Sequence, residues 1–315
     1  SFSTLFKSRL LRAVDYKNAP FELIVHRDGK KKKGSKIYGL SLPMSGEILD
    51  HYPDGGIPRG GVYLSCGSSA QTDLPDESVD YVITDPPFFD NVHYSELADF
   101  FYVWQEMYFS DADGERTTTR SAGEVQDTCP TAFSNKLKAV FLECHRVLRN
   151  DGLLVFSYHQ SREDGWTSVA EAVLGAGFVF VEAQPVKAEM SVAMPKSQAK
   201  DPIDLDILLV CRKRQFDERR SAAPVDCLRV AVEKARKRTQ RFNQRGRQLS
   251  RNDVMIVLLG HLLVELSAGR DVAETCDAFA SGSTGVWPTV SDIHSGQCVV
   301  EDPLLDGPTQ LALPT

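Results

Sequence analysis

Four short runs rich in β-branched and aromatic residues constrain the centre of this chain more than any other feature. They are VDYVIT at 79–84, LLVFS at 153–157, FVFVE at 178–182 and LDILLVC at 205–211. Runs of this length, bounded by turn residues, read as strands. Between the first two, Leu137, Val140, Phe141, Cys144, Val147 and Leu148 recur at helical spacing, and Asn150-Asp151-Gly152 stops that helix. Residues 166–176 read as a further helix closed by Gly177, and 95–109 as one dense in aromatics. Alternating strands and helices predict an α/β domain around a mainly parallel sheet. The last two runs have only the loop 184–202 between them, so the sheet is expected to finish in an antiparallel hairpin. Residues 62–65 are expected to add a short strand before these.

The flanks divide by charge. Between 211 and 251 there are fourteen Lys/Arg against four Asp/Glu, whereas from 267 to the end one Arg faces seven acids. A basic block beside an acidic tail is the asymmetry of a chain with one polyanion-binding surface, although the net charge is -7. The alternative is an Arg-rich solvated helix. The expected organisation is an irregular segment over 1–60, with Lys30 to Lys33 in a loop or hairpin. A core over 61–214 and a basic helical extension over 215–267 follow, and an acidic, poorly ordered tail over 268–315 ends the chain. Within the extension, Leu228, Ala231, Ala235 and Phe242 share one helical face, and 253–266 reads as a buried helix too short to span a bilayer. No apolar run reaches the roughly 18 residues of a membrane span, and no signal peptide is recognisable, so a cytoplasmic location is expected. The seven cysteines form no C-x-x-C pair and are expected to be free thiols, mostly buried, with no metal site.

Immediately after VDYVIT stands Asp85-Pro86-Pro87-Phe88. Ligands of open α/β sheets bind at the carboxyl ends of strands, which makes this tetrapeptide the candidate site. Its purely structural reading is a strand-terminating turn, since proline is common where a strand stops. The surrounding LPDESVDYVIT and HRVLRNDGLLVF favour the functional reading.

The run TDPPFFDNVHYSELADFFYVW, residues 84–104, resembles the adenine-specific DNA methyltransferases of bacteria and archaea that are found beside phage-defence genes. The resemblance extends over about 61–214 and includes FLECHRVLRNDG and DILLVCRKR. It implies a class I S-adenosylmethionine-dependent methyltransferase fold (Rossmann-like) and methylation of the exocyclic N6 of adenine in DNA, in a restriction-modification or phage-defence system. S-adenosyl-L-methionine would be the cofactor. That amine is a poor nucleophile because its lone pair is delocalised into the ring. Asp85 and the Pro86 carbonyl would accept hydrogen bonds from it and aim the lone pair at the methyl donor. Pro86 and Pro87 would stiffen the turn, and Phe88 would stack on a base swung out of the duplex. Phe89, Asn91 and Tyr94 would lie near the base, while Phe100, Phe101, Tyr102 and Trp104 are expected to be core packing. The family run carries two Tyr where this chain has Phe88 and Phe89, so stacking is kept and a phenol hydroxyl is not.

The family also has a Gly-rich turn, F-x-G-x-G, after the first strand of the sheet. None is found here, since Gly55-Gly56 and Gly60-Gly61 precede the 62–65 segment instead of following a strand. The chain begins at Ser1 without Met, and the expectation is a catalytic C-terminal portion whose donor pocket is completed by an upstream segment or a second polypeptide. Gly67-Ser68-Ser69-Ala70 stands where the family has G-D-A, so Ser68 and Ser69 are the candidate cofactor contacts. Lys234, Arg236, Lys237, Arg238 and Arg241, with Arg245 and Arg247, are the candidate contacts to the DNA backbone. The competing functions are methylation of guanine N2 in RNA, methylation of cytosine N4 in DNA, and a non-catalytic DNA-binding or scaffolding module.

Overall fold

A computed structural model describes residues 2–24, 35–39, 46–90, 92–106, 118–188, 201–215 and 222–296. The chain divides into two compact units, Ser1–Cys66 and Gly67–Thr315.

In the first unit, α1 (Phe2–Leu5), a π-helical turn (Phe6–Leu10) and α2 (Leu11–Asn18) precede an antiparallel pair, β1 (Phe21–Ile24) with β2 (Ser35–Tyr38). The Lys30 to Lys33 run falls between these strands, outside the described residues. The short strands β3 (Ile48–Leu49) and β4 (Val62–Tyr63) pair in parallel. Of the 62–65 segment, expected in the central sheet, only Val62–Tyr63 form a strand, and it belongs to this first unit instead.

The second unit is a mixed α/β body. Its sheet contains β5 (Val79–Thr84), β6 (Leu148–Tyr158), β7 (Phe178–Lys187) and β8 (Leu205–Lys213), in the order β5-β6-β8-β7. β5 and β6 are parallel, and β8 runs antiparallel to both β6 and β7, which gives the expected closing hairpin. The helices are α3 (Tyr94–Glu106), α4 (Pro130–Val147), α5 (Glu163–Gly175), α6 (Pro224–Gln244), α7 (Arg251–Ser267), α8 (Val272–Ser283) and α9 (Trp287–Ser295). β6 starts at once where α4 ends, so Asn150-Asp151-Gly152 lies within the strand and not in a separate turn.

Strand alternation sorts the sheet residues into two faces. Leu154, Phe156 and Tyr158 on β6 share one face with Leu209 and Ile207 on β8, and all are fully buried. Phe141 of α4 meets Phe156, Trp166 of α5 meets Tyr158, and Gly260 of α7 closes on Ile207 and Ala183. Burying each such side chain contributes roughly 1.5–3 kcal/mol relative to leaving it exposed. The other face carries Leu153, Val155, Ser157, Leu208 and Val210, all half-buried, and Tyr81 and Ile83, both exposed. Among the described residues, helices therefore cover one face of this sheet, and β5 stands at its edge.

α7 is buried nearly all round, as its composition predicts, because it lies between the β7–β8 hairpin and α6. A capping box between Ser250 and Asp253 starts it, and the same Asp253 carboxylate accepts from the backbone N–H groups of Asp204 (2.8 Å) and Leu205 (2.9 Å). α6 and α7 thus contribute to the same buried cluster as the sheet. The acidic tail also departs from expectation. α8 and α9 are regular helices whose Ala278, Phe279, Val290 and Ile293 are buried, so apolar spacing outweighs the Gly/Ser-rich composition there; 297–315 lie outside the described residues. Cys211 and Cys227 are buried, Cys144 and Cys276 half-buried and Cys66 and Cys129 exposed, fewer buried than expected.

Candidate active site

The carboxyl end of β5 delivers Asp85 beside Ser157, because Thr84 pairs with Phe156 in register. The Ser157 hydroxyl donates to Oδ1 of Asp85, whose side chain is otherwise open to solvent. Asp85 and Ser157 thus meet at one end of the sparsely covered sheet face. Pro86 is buried and Pro87 half-buried, and together they carry the backbone from the strand edge into the Phe88–Phe89 turn.

Phe88 is held from three consecutive residues of β6 and its exit. Its ring meets Tyr158 edge-on at 5.4 Å and His159 at 4.6 Å, and its carbonyl accepts from Gln160 Nε2 at 3.2 Å. Gln160 is itself fixed: its Oε1 accepts from the Ser161 N–H at 2.8 Å, and its carbonyl accepts from Trp166 Nε1 at 2.9 Å. His159 Nδ1 lies 2.5 Å from Oδ1 of Asp206, which enters from the start of β8. A carboxylate only accepts, so this bond places a proton on Nδ1. Gly165 makes the arrangement possible. A Cβ there would stand 2.6 Å from Gln160 Cγ and 2.9 Å from the Tyr158 hydroxyl. That hydroxyl is buried without a hydrogen-bond partner among the described residues, and burial pushes its ionisation far above the ordinary tyrosine range.

Phe89 does not face a ligand. It is fully buried, packs against Phe133 at 5.4 Å, and adopts φ 48°, a left-handed conformation that side chains larger than glycine rarely take. The Arg162 guanidinium covers its ring at 5.0 Å and pairs with Asp90 at 3.3 Å. Phe89 is expected near the target base; its ring is turned into the core, where it anchors the turn. Asn91 lies outside the described residues, and Tyr94 is exposed at the start of α3.

α3 also differs from expectation. Phe100, Phe101 and Trp104 are 60–67% exposed, and Tyr102 is half-buried, so none is core. The helix is fastened by its polar residues instead. Asp99 accepts from Thr118 Oγ1 and from both N and Oγ1 of Thr119, each at 2.6 Å, and those bonds hold its carboxyl at about 2. Glu124 accepts from the Ser95 N–H at 3.2 Å and Arg120 pairs with Glu96 at 2.7 Å.

Ser68 and Ser69 lie exposed in a tight turn where Ser68 Oγ accepts from the Ala70 N–H at 3.2 Å. No Gly-rich turn follows a strand among the described residues of this unit. What is built nearby is a brace ahead of β5: Glu143 Oε1 accepts from the N–H and hydroxyl of Thr72, at 2.7 and 2.6 Å. Arg146 bridges Glu143 to Asp76 and to the Leu74 carbonyl. The described residues thus fit an acceptor group near Asp85 and do not by themselves form a cradle for a methyl donor.

On α6, the apolar face of Leu228, Ala231 and Ala235 is buried and Phe242 half-buried, as the spacing predicts. The cations are less free than their number suggests. Lys234 pairs with Glu265 at 2.5 Å, Arg236 and Lys237 share Glu233 at 3.5 and 3.1 Å, and Arg238 donates to Gln184 at 2.9 Å. Arg241 and Arg245 are exposed and make no ion pair with the described residues.

Protein-family models and characterised protein sequences return no match to the chain. Among solved structures, it is similar to a candidate DNA modification methylase from Thermus thermophilus, at 15% identity and a TM-score of 0.24, over 52% of this chain and 58% of that one. The functional reading rests on the geometry of the site.

Proposed function

We propose that the second unit is the acceptor side of a class I, Rossmann-like S-adenosylmethionine-dependent methyltransferase that methylates the exocyclic N6 of adenine in DNA, as part of a restriction-modification or phage-defence system. The observation that carries the reading is Asp85-Pro86-Pro87-Phe88 at the carboxyl end of β5, with its carboxylate oriented by Ser157 and its aromatic ring held half-exposed. Asp85 and the Pro86 carbonyl are the acceptors for the amine, and Phe88 is the stacking surface. Ring stacking is worth about 1–3 kcal/mol per base, and two aimed acceptors select an exocyclic NH2. Tyr94 stands near enough in sequence to line the approach.

The donor side comes from residues beyond those described, either an upstream segment or a second polypeptide. The sparsely covered sheet face and the edge position of β5 support this, as does the lack of a Gly-rich turn. S-adenosyl-L-methionine would supply the electrophilic methyl group, with Ser68 and Ser69 as this chain's contribution to its adenosine end. DNA is the polymer partner, met by Lys234, Arg236, Lys237, Arg238 and Arg241 on α6. No helix of the described residues is long and apolar enough to cross a membrane.

The test is methyl transfer from isotope-labelled S-adenosylmethionine to duplex DNA by the completed protein, followed by nucleoside mass spectrometry. Label in N6-methyladenine is expected. Label in N4-methylcytosine or in no nucleoside, or a parallel reaction in which RNA acquires N2-methylguanine and DNA acquires no label, overturns the reading.

A further inference from the structure

We infer that His159, oriented by Asp206, is a positioning residue that fixes the Phe88 ring in the place from which it meets a base. The inference rests on the reading of Phe88 as the stacking residue, yet the geometry behind it belongs to this chain alone.

Phe88 is half-buried and lies at the open end of the sheet, so its ring has solvent on one side and freedom to change rotamer unless something opposes it. Its carbonyl is pinned by Gln160, which fixes the backbone but not the ring. Two rings oppose its motion. Tyr158 is fully buried and immobilised by Trp166 at 5.2 Å and by the close approach of Gly165. His159 is the nearer of the two, at 4.6 Å, with a side chain only 19% exposed. Its polar partner Asp206 turns the ring, through the 2.5 Å bond from β8, which ties it across two strands. Side chains that hold a functional group need their own rotamers locked by neighbours. Asp206, His159 and Phe88 form such a series, each fixing the next.

The histidine nitrogen matters only through Asp206, which separates positioning from simple bulk. Para-fluorophenylalanine placed at position 88 of the full chain reports the ring directly by fluorine NMR. The wild-type protein is expected to give one narrow line, and His159→Ala and Asp206→Asn to shift and broaden it. His159→Phe restores a ring but not the tether, and is expected to give an intermediate line. Asp206→Asn nearly preserves shape, so it remains informative if His159→Ala fails to fold. A line in Asp206→Asn and His159→Ala identical to wild type overturns the inference, whatever the enzyme methylates. A second arm uses duplex DNA carrying 2-aminopurine in place of the target adenine and the completed protein. Base capture by wild type raises its fluorescence, and both variants should weaken that capture roughly 5-fold or more, the lower end of the cost of one lost stack. Absence of any wild-type rise counts against the proposed function, while the NMR arm still decides the positioning. Wild-type capture with undiminished capture by both variants overturns the positioning role and leaves the function standing.

Discussion

Ser157 donates its hydroxyl hydrogen to Asp85 across the parallel pair β5–β6, so the carboxylate at the candidate site is aimed by the neighbouring strand. In the proposed role, Asp85→Ala removes an acceptor used while the amine reacts, so the loss should appear in kcat and not in donor affinity. By analogy with deletion of one oxyanion-hole donor, kcat of the completed enzyme should fall roughly 100- to 1,000-fold. Ser157→Ala loosens the carboxylate without removing it and should cost about tenfold. Single-turnover kinetics measure both; an Asp85→Ala enzyme retaining more than about a tenth of wild-type kcat, or a Ser157→Ala loss exceeding that of Asp85→Ala, would refute the assignment.

The two adjacent phenylalanines should behave oppositely. Phe89 is fully buried beneath Arg162 and against Phe133, so Phe89→Ala should destabilise the fold by about 3–5 kcal/mol. Phe88→Ala should leave the thermal midpoint far less affected and abolish 2-aminopurine capture. Calorimetric scans of both variants check the difference, and a Phe88→Ala midpoint as low as that of Phe89→Ala would show that both rings are structural.

How far the residue pattern anticipates this arrangement depends on the length scale. β5 and the β7–β8 hairpin follow from apolar runs and turn residues, because backbone pairing is set locally by alternation and loop length. Phe89 escapes because Phe88 and Phe89 are chemically identical, and only the left-handed backbone at 89 decides which ring turns inward. The exposed face of α3 escapes for a related reason: Phe100, Phe101 and Trp104 carry the spacing of a core helix, and the spacing cannot show that no described element covers it. His159, Gln160 and Asp206 were within reach. His159-Gln160 follows LLVFSY at the carboxyl end of a strand, the edge where Asp85 already stands, and polar residues at that edge are site candidates. The helices over 272–295 were hidden by Gly and Ser, although Val272, Cys276 and Phe279, then Val290 and Ile293, keep helical spacing.

Gly165 tests the clamp from behind. Gly165→Ala introduces a Cβ 2.6 Å from Gln160 Cγ and 2.9 Å from the Tyr158 hydroxyl, and neither neighbour is free to withdraw. The fold should lose about 1–3 kcal/mol through overpacking, and the Gln160 bond to the Phe88 carbonyl should open. A crystal structure of the variant with that bond intact and an unchanged thermal midpoint would show that the contact is slack.

The brace at Glu143 predicts an acid-dependent loss of stability. The Arg146 guanidinium, with Thr72, holds the Glu143 carboxyl at about 2 against an ordinary 4.5, with burial opposing. A lowered folded-state value means the unfolded chain binds the proton more readily. The stabilisation is therefore complete above about pH 4.5 and is lost as pH falls toward 2. Glu143→Gln should lower the thermal midpoint at pH 7 and flatten its decline between pH 4.5 and 2. Parallel wild-type and variant curves through that window would show that Glu143 does not carry the effect.

The basic helix gives the last prediction, and its ion pairs change what to expect from it. A Lys or Arg free to meet a phosphate releases a counterion, so each contact contributes about 0.9 to the slope of log K against log salt. Counted by residue type alone, removing Arg236, Lys237 and Arg238 would flatten the slope by about 2.7. Arg236 and Lys237 share Glu233, however, so their charge is partly neutralised before DNA arrives, and Arg238 is held by Gln184, which restrains its reach without changing its charge. Arg241 and Arg245 extend the same helix with exposed side chains and no ion-pair partner among the described residues. Replacing these two by Ala should flatten the slope by about 1.8, and replacing the other three by distinctly less than 2.7. Both sets should weaken binding equally on all DNA sequences, since phosphate contacts position the duplex without reading it. Titrations of the completed protein with labelled duplex across a salt series measure the two slopes. Wild-type dependence in the Arg241/Arg245 double variant would mean that α6 carries solvated charge and does not meet DNA.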